Sequence, residues 1–153
     1  MSAFWRNWLG VWCASAATVG IILAGAGFES TSGPAHLYFQ IAGRAEGFSP
    51  TPEMRLALTV LGGVMVGWGL TLWTAIQAAL KLGHREARPI WHMLTVAMVA
   101  WFIIDSTFSV HTGFWRNAAV NALFFAGFLL PVVKTGVLQE HPKTVQSQNR
   151  ILS

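Results

Sequence analysis

Residues 90–133 read IWHMLTVAMVAWFIIDSTFSV (90–110), HTG (111–113) and FWRNAAVNALFFAGFLLPVV (114–133), and this stretch decides the fold. The first run carries a single charge, Asp105, and the last a single charge, Arg116, near its start. A helix rises about 1.5 Å per residue, so about 20 apolar residues cross the roughly 30 Å of bilayer hydrocarbon. Both runs reach that length, and the short connection between them forces a tight hairpin. Neither alternates apolar and polar residues as a barrel strand would, and backbone groups left unpaired in lipid are costly. Two helices are therefore predicted.

Working outward, residues 8–28 hold no charge, and residues 54–82 hold only Arg55 and Lys81, both near the ends. The expectation is an all-α integral membrane protein: an antiparallel four-helix bundle spanning at 8–28, 54–82, 90–110 and 114–133. Residues 1–137 then form one transmembrane domain, and 138–153 a polar tail expected to be disordered. Composition agrees. Of the 153 residues, 54% are hydrophobic and 10% charged, against about 25% charged in soluble domains. A disordered chain and a coiled coil are excluded.

Four spans place both termini on one side. That side carries Arg6, Lys81, Arg85, Arg88, Lys134, Lys143 and Arg150, whereas Arg44, Arg55 and Arg116 lie opposite. The excess of cations puts the termini in the cytoplasm, and a bacterial inner membrane is the expected location. Membrane topology also accounts for the pI of about 10.0, so no nucleic-acid partner is expected. Ala24-Gly25-Ala26 imitates a signal-peptide cleavage site, and cleavage there would leave three spans. The apolar run exceeds a typical signal core, which favours retention as a span. Cys13, the lone cysteine, reads as filler in the first helix.

The 29–53 segment is less polar than a free loop. Leu37, Tyr38, Phe39 and Ile41 are expected to form a short piece at the outer membrane surface, with His36 and Gln40 toward water. Thr51 is a candidate N-cap, with Pro52 at the first helical position and Glu53 complementing the helix dipole.

In lipid, helices associate through close approach at small residues and through hydrogen bonds. Ala16, Gly20 and Ala24 recur every four residues along the first span, and Gly63 and Gly67 form a GxxxG on the second, extended by Gly62 and Gly69. These ridges are expected to meet within the chain, with a homodimer or a membrane-protein partner across Gly63 and Gly67 as the alternative.

Asp105 is the residue on which function turns, because an acid inside a span costs about 2.5 kcal/mol or more unless a partner or water meets it. Counting from the hairpin, Asn117 and Asn121 bracket its depth and share one helix face, and Arg116 has a stem long enough to reach across. Leu94, Met98, Trp101, Asp105 and Ser109 make one stripe expected to face inward. The cluster of Asp105, Asn117, Asn121 and Arg116 reads either as a clasp fixing two helices in register or as a proton or cation site. Pro131 removes a hydrogen bond to Gly127 and predicts a kink.

No catalytic residue, cofactor or metal is expected. Of the five histidines only His92 is inside a span, and it stands about 20 Å along the axis from Asp105. No HExxH or CxxC occurs. Ser106, Thr107 and Ser109 lack an imidazole at their depth. Trp68 and Trp101 are deep and read as core.

Gly67-Trp68-Gly69, Trp101 to Ser106, and Gly113 to Asn117 with Asn121 together resemble small four-span inner-membrane proteins of proteobacteria, over about the last two thirds of the chain. The resemblance implies the fold and brings no activity with it. The sequence points first to a non-catalytic structural or partner-binding protein of the lipid bilayer, and second to a small-solute or proton-coupled carrier.

Overall fold

A computed structural model describes residues 1–42 and 49–139. They form five helices and no strand: α1 (Ala3–Ala24), α2 (Gly33–Ala42), α3 (Pro52–Lys81), α4 (His84–His111) and α5 (Trp115–Lys134). All but α2 are long and apolar enough to cross a membrane, as in a multi-pass membrane protein. Arg44 and Glu46, and residues 140–153 of the expected tail, lie outside the described residues.

Several boundaries differ from expectation for local reasons. α1 stops at Ala24 rather than Phe28 because Gly25–Gly27 tightens into a 3-10 turn, and the Thr31 hydroxyl donates to the Gly25 carbonyl at 2.6 Å. The connection between the second and third spans, expected to run to residue 89, shrinks to Leu82 and Gly83, since α4 already begins at His84. Arg88 Nε donates to Leu138 O at 3.0 Å, and a His84 ring nitrogen lies 2.9 Å from Gln139 O. Leu138 itself packs on the core, so the first residues assigned to the tail are docked on α4.

Other signals act as read. Thr51 Oγ1 accepts from Met54 N at 3.3 Å with Pro52 starting α3. Gly113, at φ +86, ends α4. Its N–H reaches Val110 O at 3.1 Å and Phe114 N reaches Ser109 O at 2.7 Å. That pairing is a Schellman cap, which needs the left-handed conformation glycine adopts without strain.

α1 packs most closely on α3, at glycine. A Cβ on Gly20 would stand 2.7 Å from Gly62 O, and one on Gly62 would overlap Ala24 N and Gly20 O. One on Gly69 would meet Cys13 O at 3.1 Å. Gly62 and Gly69, seven residues apart, form the ridge that meets α1, Gly62 at Gly20 and Ala24 and Gly69 at Cys13 and Ala17. Gly63 and Gly67 have no atom within 4 Å of the Cβ they lack. The expectation that the Gly63/Gly67 ridge meets α1 is therefore corrected. Adjacent residues differ by about 100° around a helix, so a one-residue shift selects a different face.

α5 is tied to α1 by two indoles. Trp8 Nε1 donates to Gly127 O, and Trp12 Nε1 to Phe124 O, both at 2.8 Å. Gly127 O is the carbonyl that Pro131, lacking an N–H, leaves without its helical donor. In lipid such an orphan costs several kcal/mol, and the Trp8 indole relieves it. The sequence shows the missing bond; only the fold supplies its replacement.

The apolar core fills one half of the molecule. Leu9, Trp12 and Cys13 of α1 meet Leu72 and Ile76 of α3, Trp91 and Met98 of α4, and Phe128 and Val132 of α5. These residues come from the first half of α1, the second halves of α3 and α5, and α4 as far as its midpoint at Met98. The opposite half, toward α2, is hollow.

Candidate functional site

The hollow is a cavity of about 700 Å³. Each long helix lines it with the stretch beyond the core: Ser15 to Leu23 on α1, Leu58 to Trp68 on α3, Trp101 to Ser109 on α4, and Asn117 to Phe124 on α5, with Trp68, Trp101 and Phe124 shared between the two. α2 closes one side with Tyr38, Phe39 and Ala42. On the other side Leu61 and Val64 of α3 and Phe108 of α4 line the cavity yet remain 49%, 62% and 63% exposed. The cavity thus opens sideways between α3 and α4, where acyl chains lie around a membrane-embedded chain.

α2 reaches this position through its own periodicity. Ala35, Tyr38, Phe39 and Ala42 follow the i, i+3, i+4, i+7 pattern of one helix face. Ala35 and Ala42 are buried, Tyr38 and Phe39 half-buried, and Leu37 and Ile41 exposed. His36, expected to face water, is half-buried instead, while Gln40 is exposed as expected. The segment is a wall of the cavity rather than a surface ornament.

Polar groups are gathered on the wall formed by α4 and α5. Asp105 Oδ1 accepts from Ser109 Oγ at 3.1 Å and from Asn117 Nδ2 at 3.4 Å. Asn117 Nδ2 also donates to Ser109 Oγ at 2.9 Å, and Tyr38 Oη donates to Asn117 Oδ1 at 3.2 Å. Asn121 is 6% exposed and donates from Nδ2 to Ser106 Oγ at 3.5 Å, the outer limit of a hydrogen bond. Burial, and secondarily the charge of Asp105, pushes the Tyr38 phenol above its ordinary pKa. It therefore stays protonated and donates.

Asp105, Asn117 and Asn121 thus come together on one cavity. Arg116 points elsewhere: it is exposed, its guanidinium carbon 5.7 Å from the centroid of the Trp115 ring, and it does not line the cavity. A cation over an indole face is favourable in itself, and Arg116 makes that contact rather than one to Asp105. Tyr38 and Ser109 were missed as site residues. The usable signals were that Tyr38 is the lone tyrosine of the chain, in a segment too apolar for a loop, and that Ser109 lies four residues from Asp105 on the inward stripe.

Trp68 and Trp101 pack against the core and also floor the cavity. Their ring centroids are 5.6 Å apart, and Trp101 meets Phe124 edge-on at 5.6 Å. Trp101 precedes Asp105 by one helical turn, so an aromatic floor adjoins a carboxylate. Among the described lining residues Asp105 is the only carboxylate, and there is no Lys, Arg or His. Such a site offers one carboxyl group, several amide and hydroxyl groups, and a large apolar surface. It holds no paired nucleophile and base. Compared with protein families, with curated proteins and with solved structures, the chain has no match.

Proposed function

We propose that the chain is an antiparallel four-helix bundle of a bacterial inner membrane, with both termini in the cytoplasm, acting as a non-catalytic binding protein. Its outer-leaflet cavity receives a small amphipathic molecule, with Asp105, Asn117 and Asn121 as the polar contacts. The observation that carries this reading is that Asp105 lies on the wall of a cavity of about 700 Å³, within the size range of small-molecule sites. The distribution of Lys and Arg supports the orientation. A small-solute carrier would use the same site, opened in turn to the other face. Gly63 and Gly67, on the outward face of α3, are where a second copy would dock.

A structural reading rests on a different observation, the continuous bonding from Tyr38 through Asn117 and Ser109 to Asp105, which pins α2 and α5 to α4. Native mass spectrometry from mild detergent separates the two. Binding requires a small-molecule adduct on the wild-type chain that is lost from Val19→Trp, where the added ring fills the cavity. A bare wild-type chain, or an adduct indifferent to Val19→Trp, would support the clasp alone.

A further inference from the structure

We propose that the cavity is selective for lipophilic ammonium ions: an aromatic or aliphatic body against Trp68, Trp101 and Phe124, and an N–H-bearing cation at Asp105. This rests on the binding reading above and adds the charge of the ligand. A carboxylate at membrane depth is stable only when protonated, hydrated or paired. Here the groups that meet it are neutral: a serine hydroxyl and an asparagine amide, both on Oδ1. Oδ2 makes no hydrogen bond among the described residues, and no cation lines the cavity. Arg116, the residue within reach, is turned onto Trp115. The carboxyl group therefore keeps an unfilled acceptor oxygen and lacks a cationic partner on the cavity wall; an entering ammonium ion would supply that pairing, whereas an anionic ligand would find no positive group to meet it.

The apolar part of the cavity fits the same ligand. Trp68, Trp101 and Phe124 enclose its deep end with centroid separations of 5.6 to 6.3 Å. Ring faces attract cations, Trp most strongly, and desolvation strengthens the attraction. Next to them Asn121 keeps most of its amide bonding capacity, because its contact to Ser106 is at the 3.5 Å limit. The opening beside Leu61, Val64 and Phe108 admits a molecule already dissolved in the bilayer, which is how an amphipathic amine arrives.

The test compares three probes that share one body and differ in charge: 2-(1-naphthyl)ethylamine, 2-(1-naphthyl)ethanol and 1-naphthylacetate. Each is titrated into the full chain in mild detergent near neutral pH and followed calorimetrically. The ammonium should bind about tenfold or more tighter than the alcohol, as a charge-assisted bond to a half-buried carboxylate requires. The acetate should bind weakest. In Asp105→Asn the ammonium should fall to the affinity of the alcohol, whose own binding is retained. Equal binding of ammonium and alcohol to the wild-type chain overturns the proposal while leaving the cavity reading intact. Absence of binding by all three overturns both. Because the decisive ratio is measured on the wild-type chain, a misfolded variant does not shelter the proposal.

Discussion

Gly62→Ala, set beside Gly63→Ala, measures the contact that organises α1 against α3. A methyl on Gly62 would stand 2.8 Å from Ala24 Cα and overlap the backbone atoms Ala24 N and Gly20 O. Carbon atoms rest at about 3.5–4.0 Å, so the helices must part by about 1 Å. The obstructing atoms are backbone and cannot rotate away, which places the cost near the upper end of overpacking, about 3 kcal/mol. Alanine returns about 1 kcal/mol over glycine in a helix, leaving a net loss of about 2 kcal/mol. That is roughly a 30-fold shift in the unfolding equilibrium. Gly63→Ala meets open space and keeps only the propensity gain. Equilibrium unfolding of the purified chain in mixed SDS and mild detergent, followed by tryptophan fluorescence, reads both variants. Gly62→Ala should unfold at clearly lower SDS than wild type and Gly63→Ala at the same or higher. Equal midpoints for the two alanine variants would refute the register and with it the close helix approach.

Trp8→Phe should cost about 1 kcal/mol by removing the indole donor from Gly127 O, and Pro131→Ala, which restores the backbone donor, should erase most of that cost in the double variant. Additive losses would show that the indole does not replace the missing amide. Asn117→Ala breaks bonds to Asp105, Ser109 and Tyr38 together and should destabilise by about 1–3 kcal/mol, whereas Tyr38→Phe should lose about 1 kcal/mol or less; the same unfolding assay ranks them. In a Cys13→Ala background, a cysteine at His111 should react with a membrane-impermeant maleimide on intact cells and one at Ser2 only after lysis. The reverse pattern would invert the orientation.

The number of membrane-capable helices was legible because the bilayer imposes a length, and runs such as 90–110 and 114–133 meet it with a charge pattern that admits little else. The pairing of Asp105 with Asn117 was legible for a similar reason. A three-residue turn makes depth a matter of counting residues from the hairpin, and helical period places Asn117 and Asn121 on one face. What counting along one helix does not reach is azimuth relative to a neighbour. Gly62 and Gly63 are equivalent to any spacing rule, yet only Gly62 touches α1, because the rotation of α3 follows from packing against α1 and α4 at once. Arg116 was within reach of Asp105 by stem length, but its guanidinium lies over the ring of Trp115 instead.

Local sequence by itself determined four membrane-capable helices, the cap at Thr51, the glycine turn at Gly113 and the place of Asp105 relative to the α4–α5 hairpin, since each depends on residues close in sequence. Tertiary structure alone decided that Trp8 reaches Gly127, that α2 walls one side with Tyr38, and that Asp105 borders a cavity rather than packed side chains. A cavity is the space left between several surfaces, and no single segment of the chain encodes its shape.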